Sequence, residues 1–161
     1  MARSGPRQLD GVRLGLSLAD ILDRGCLPEV LRDHPKAVLP YLVLRANFTA
    51  RLFHQHTGYW TAGGEGLEPV TAQQRAAALD LLAGGREDAF SAAARTLVAQ
   101  GDNALALQII EPGLLRYPAS AELAGLRQTA LRRLMERYQQ DDAFRFLIYA
   151  DLAGAEIGPV R

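Results

Sequence analysis

Apolar positions recur at helical spacing along most of the chain, most plainly between Gly101 and Tyr138. Leu105, Ile109 and Ile110 form one such set, and Leu123, Leu126, Ala130, Leu131, Leu134 and Tyr138 form a second. Residues three and four apart share a helix face, so each set predicts an amphipathic helix. Asp102 stands where its carboxylate can accept from the free N–H groups of the first helix. Pro118 and Ser120 end that helix and open the next. The stretch therefore predicts a helical hairpin. Two such helices cannot bury their faces alone, so flanking helices are expected, as in stacked helical repeats.

The remaining segments supply them. Ser17 and Gly25 bracket a short helix beginning at Leu18, and Pro28 suits the first turn of another through Leu31. Pro35 and Pro40 punctuate the chain before a longer helix, Tyr41 to Thr57, which Gly58 closes. Four breakers, Gly63, Gly64, Gly66 and Pro69, mark a loop from Tyr59 to Val70. Thr71 and Gln74 have the spacing of a capping box, in which each side chain satisfies the other residue's backbone N–H. A helix through Ala76, Leu79 and Leu82 follows and ends at Gly84-Gly85. The next, with Ala89, Phe90, Ala93, Leu97 and Val98 inward, ends at Gly101. Asp141 or Asp142 caps a last helix with Phe144, Leu147, Ile148 and Leu152, closed by Gly154. No segment alternates long enough to predict a strand. The expected class is all-α, with tetratricopeptide-like helical hairpins and about seven helices. The expected organisation is a flexible arm at 1–15, one helical domain at 16–155 and a tail at 156–161.

On the long helix, Tyr41, Leu44, Phe48 and Leu52 share one side, with Leu42, Ala46 and Phe53 adjoining. That side is expected inward or against a partner. Asn47, Arg51 and His54 fall within about 60° of one another on the opposite side. Arg45 and His56 lie inside the apolar arc.

Charge removes several classes of function. The chain has 18 basic and 18 acidic residues and no net charge, so nothing offers the basic excess that phosphate backbones require. Lys36 is the only lysine. Cys26 is the only cysteine, which excludes an internal disulfide or a cysteine-built zinc site. It is expected to be a small buried side chain. Arg3, Arg7 and Arg13 with neighbouring glycines describe an arm rather than a secretory leader. The apolar run Val38–Leu44 is far short of the ~20 residues that span a bilayer. A cytoplasmic protein without membrane or nucleic-acid partners is expected.

Several motifs, taken in order, resemble the alkylsulfatase dimerisation domain. They are Tyr59-Trp60 through Leu67-Glu68-Pro69, then Leu81-Leu-Ala-Gly-Gly85, Ala99-Gln-Gly-Asp102 and Tyr117-Pro118-Ala-Ser-Ala-Glu122. The likeness spans roughly residues 17–153. In that family the domain follows a metallo-β-lactamase-fold catalytic domain, so the resemblance implies a helical domain that pairs subunits. The family's His-x-His-x-Asp-His zinc motif has no counterpart here. Its Ser-His-Asn appears as Ala46-Asn47-Phe48, the aspartate after the loop aromatics is Thr61, and the tryptophan of the Gly-Asp helix is Leu105.

His54 and His56 are two residues apart on a helix and point about 200° apart, so no metal site is expected. No other cofactor is expected, and no Ser/His/Asp spacing suggests a triad. Asn47, Arg51 and His54 can together donate to a sulfate or carboxylate, for which a guanidinium fork is suited. Tyr59 and Trp60 can cover a ligand or fill a partner's pocket. Tyr41, Arg45, Phe48 and Leu52 are the expected interface. The function that follows is a small subunit or dimerisation module, assembling with itself or with a separate catalytic chain. The resemblance implies that the assembled enzyme handles a sulfate ester. Either hydrolysis or sulfate departure with ring closure, as in aziridine formation, fits that chemistry. The chain alone is not expected to be an enzyme, and none of its residues is assigned as catalytic. The alternative is a non-catalytic, tetratricopeptide-like scaffold that binds peptides.

Overall fold

The computed structural model describes residues 10–25, 27–58 and 68–155. These residues are helical, with no strand among them, as the all-α expectation requires. The chain divides into two compact units, residues 1–68 and 69–161, where the sequence predicts one domain. A helical chain without a charge or composition shift hides such a division. The only sequence mark near it is the run of glycines before Pro69.

In the first unit, α1 (Leu18–Asp23) and α2 (Glu29–Arg32) both pack on α3 (Pro35–Thr57). Ser17 opens α1 with a capping box. Its hydroxyl accepts from the Asp20 N–H, and the Asp20 carboxylate accepts from the Ser17 N–H. Helix α3 begins at Pro35 and runs through Pro40, six residues before the expected start at Tyr41. Pro35 sits in the first turn, where a missing N–H removes no helical bond. Pro40 removes one bond close to that end, and the helix continues. The inward side of α3 is set by buried Leu42 and Thr49, flanked by half-buried Ala46 and Phe53. The stripe Tyr41, Leu44, Phe48, Leu52 lies to one side of it.

In the second unit, α4 (Ala72–Leu82) packs on α6 (Asn103–Arg116). Helix α5 (Glu87–Gln100) packs on α6 and on α7 (Ala121–Tyr138), α6 packs on α7, and α7 packs on α8 (Ala143–Ala153). Consecutive hairpins thus stack on one another. The core is built mainly of Phe90 and Val98 from α5, Ile110 from α6, and Leu123, Leu131 and Leu134 from α7. Burying each large side chain stabilises the stack by roughly 1.5–3 kcal/mol.

The ends of these helices follow the sequence closely. Thr71 and Gln74 form the expected capping box, Ser120 caps α7, and Asp142 caps α8. At the end of α5, Gly101 takes φ 87°, a left-handed conformation open to glycine. The Asp102 N–H then reaches the Leu97 carbonyl and the Gly101 N–H reaches Val98, closing the last turn. Asp102 is the N-cap residue of α6, but its side chain accepts no capping bond.

Arginines complete what the caps leave open. Arg133 on α7 donates to the Val98 carbonyl at the end of α5, over 2.5 Å. Arg127, also on α7, donates to the Leu152 carbonyl at the end of α8, over 3.0 Å, and pairs with Glu111. A cation at a helix C-terminus also meets the negative end of the helix dipole.

Three residues named for their apolar helical spacing turn outward. Leu105 faces out, and Ala106 and Leu107 are buried in its place. Leu82 faces out, and Asp80 is buried. Ala93 is exposed, and Ala94 and Ser91 turn inward. Asp80 is accommodated inside because Arg116 and Tyr117 donate to its carboxylate.

Candidate functional site

The residues expected to bind a ligand or partner in the described part of the chain all lie on α3. Its 23 residues span about 35 Å, which makes it the longest described element. Asn47 and Arg51 are exposed and one turn apart, so both reach solvent from a common face. His54 is half-buried. Its Nδ1 lies 3.0 Å from the Gly58 carbonyl oxygen, and its ring meets Phe53 edge-on at 5.6 Å. A carbonyl only accepts, so Nδ1 is the donor in that bond. His54 thus helps close α3 and is oriented by its own chain. Tyr59 and Trp60, the expected ligand cover, lie outside the described residues.

The expected interface residues separate into two groups. Tyr41 and Leu52 are half-buried, whereas Phe48 is 60% exposed and Leu44, between Tyr41 and Phe48 on the same stripe, is 48% exposed. Arg45 turns to its own unit. Its Nη1 donates to the Gly25 carbonyl just after α1, over 3.1 Å. The position that sequence reading assigned to an interface thus serves an internal helix end, as Arg127 and Arg133 do in the second unit. Leu39 and Val43 add exposed apolar surface near the start of α3.

Sequence reading missed a polar cluster in the second unit. Asp80, 8% exposed, accepts from the Tyr117 hydroxyl at 2.5 Å and from the Arg116 Nε at 3.0 Å. The Tyr117 bond, helped by the Arg116 guanidinium, holds the Asp80 carboxyl below its usual range against the opposing effect of burial. The same bond pushes the Tyr117 hydroxyl up, as burial also does. The available signal was a carboxylate at the spacing of Ala76 and Leu79, on the otherwise apolar inward side of α4. The cluster joins α4 to α6 with each of these groups supplied a partner, which suits fastening rather than proton transfer.

A second cluster lies where α7 meets α8. Tyr138 and Tyr149 stack at 5.9 Å, and Arg137 and Arg145 both lie over the Tyr138 ring, at 5.4 and 5.0 Å. Arg145 also donates to the Tyr138 hydroxyl. Such cation–ring contacts stabilise by roughly 0.5–1 kcal/mol at exposed sites.

Among the described residues, no three His, Cys, Asp or Glu side chains gather as a metal site. No described helix is long and apolar enough to cross a membrane. The chemistry offered is therefore that of surfaces: an apolar stripe on α3 beside an amide and a guanidinium. On α3, Asn47 and Arg51 adjoin the apolar stripe rather than oppose it as the sequence reading had it, because seven residues bring Arg51 to within about 20° of Leu44 on the helix circumference. No protein-family model matches the chain, and neither a curated protein nor a solved structure matches it.

Proposed function

We propose that this chain is a non-catalytic subunit that docks on a separate catalytic polypeptide through the outer face of α3. The exposed Leu44–Phe48 pair carries this reading. In its described residues the first unit fully buries few large side chains, chiefly Ile21 and Leu42, while Leu39, Val43, Leu44 and Phe48 of one helix remain exposed. A unit of about 60 residues is marginal even when it buries about 60% of its unfolded surface. An apolar stripe left open on such a unit gains stability when a partner covers it.

The catalytic partner acts on a sulfate ester. The motif likeness to the alkylsulfatase dimerisation domain supports this assignment, as does the placement of Arg51 beside the stripe. A planar guanidinium with an amide one turn away can hold a sulfate group at the edge of the interface.

The test is purification of the tagged chain with its partner, followed by the same purification of Phe48→Asp. Loss of the partner with unchanged helical circular dichroism supports docking through α3. Retention of the partner by Phe48→Asp defeats it. Arg51→Ala then tests the sulfate assignment: sulfate-ester turnover by the complex falls while the complex persists. Unchanged turnover removes that assignment and leaves the docking intact.

A further inference from the structure

We infer that the outer face of α4 pairs two copies of this chain, with α4 antiparallel to its symmetry mate and Ala78 at the twofold axis. The inference stands apart from the docking proposed for α3, because it uses the other unit and other residues.

Helix α4 turns Ala76 and Asp80 inward and packs on α6. Its far side carries Leu81 and Leu82, 81% and 85% exposed, with exposed Ala77 and Ala78 one turn earlier. Residues four apart share a face, so Ala77 and Leu81, and Ala78 and Leu82, form one apolar strip. The end helix of a stack carries a polar outer face when nothing follows it. This end helix carries its largest apolar side chains there.

The strip is complementary to itself when reversed. Its middle is small, at Ala77 and Ala78, and its C-terminal end is large, at Leu81 and Leu82. Its N-terminal end is long and polar, at Gln74 and Arg75. With Ala78 facing Ala78, Leu82 lies beside Arg75 of the partner copy on one flank and Leu81 beside its Gln74 on the other. The alanines let the helices approach, and the leucines lie along the aliphatic stems of Gln74 and Arg75. Charge agrees with this direction. The last turn of α4 has no basic residue of its own. The reversed pairing brings exposed Arg75 of each copy to the negative end of the other α4. Arg45, Arg127 and Arg133 meet helix ends in this way within the chain. A parallel pairing would place Arg75 against Arg75.

One face of an eleven-residue helix buries less than the ~800 Å² per partner of a standard interface. The dimer is therefore expected to dissociate in the micromolar range. Sedimentation equilibrium of the full chain across that range is expected to show a monomer–dimer equilibrium. The double variant Leu81→Glu, Leu82→Glu is expected to raise the dissociation constant at least about 100-fold, because like charges then meet at the interface. A wild-type chain that stays monomeric throughout, or a double variant that pairs as the wild type does, overturns the inference. So does loss of the dimer in Phe48→Asp alone.

A disulfide test covers a double variant that fails to fold. In a Cys26→Ser background, Ala78→Cys is expected to cross-link two chains on oxidation. Ala72→Cys, about 18 Å from its mate in this geometry, is not. Equal cross-linking of both, or of neither, overturns the inference.

Discussion

The Tyr117 hydroxyl donates to Oδ1 of Asp80 across 2.5 Å, and that bond ties the residue after α6 to the inward side of α4. Each partner shifts the other's titration. Asp80 is held below its usual value chiefly by Tyr117, so its contribution is complete above about pH 4 and is lost as pH falls further. Tyr117 is raised chiefly by Asp80, so its contribution is complete below about pH 10 and is lost as pH rises further. Tyr117→Phe is expected to lower Tm at neutral pH, to shrink the acid loss and to abolish this residue's alkaline loss. Thermal melts across pH check it, and a stability profile of unchanged shape refutes it.

Two glycines inside helices of the second unit are expected to respond oppositely to alanine. A Cβ on Gly113 would lie 2.9 Å from Leu123 Cδ1 and 3.1 Å from Phe90 Cδ1, inside the packed core. The overpacking costs about 1–3 kcal/mol, which outweighs the ~1 kcal/mol gained in helix propensity. A Cβ on Gly125 meets nothing within 4 Å, so Gly125→Ala is expected to stabilise by about 0.5–1 kcal/mol. Denaturant melts of the two variants should move in opposite directions.

Ser91 is 1% exposed, and its hydroxyl has no hydrogen-bond partner among the described residues. Leaving such a group unsatisfied costs roughly 1–3 kcal/mol. Ser91→Ala also favours the helix, and it is expected to stabilise the unit by about 1 kcal/mol or more. A lower denaturation midpoint for Ser91→Ala would show that the hydroxyl is satisfied in solution.

Arg133 acts through one guanidinium N–H placed on the Val98 carbonyl. Lysine presents a hydrated point charge on a different stem and is not expected to reproduce that bond. Arg133→Lys is expected to destabilise by about 1 kcal/mol. It should also speed amide exchange at Gly101 and Asp102, whose N–H groups close the same helix end. Unchanged exchange at those amides would place the role of Arg133 elsewhere.

The second unit was legible in the sequence because its signals are local. Thr71, Ser120 and Asp142 cap the helices they precede, and Gly101 and Gly154 follow the helices they close. The α7 positions Leu123, Ala130, Leu131 and Leu134 are buried as their spacing predicts. What failed depended on neighbours. Asp80 is inside because Tyr117 and Arg116, 37 and 36 residues away, come to meet it. Arg45 belongs to the end of α1, 20 residues earlier, and no periodicity on α3 records that. Pro40 predicted a break that the helix absorbs. On α3 the wheel grouped Tyr41, Leu44, Phe48 and Leu52 correctly as one stripe. It could not tell that the buried side follows Leu42 and Thr49 instead.

The arginines that reach from α7 to the ends of α5 and α8 leave the second unit open to a particular kind of chemical attack. A dicarbonyl reagent that rings guanidinium groups would unfasten helix ends from outside, with every aliphatic side chain still in its place. An amine acylating reagent would find one side-chain target, Lys36, near the start of α3, and would leave those fastenings whole.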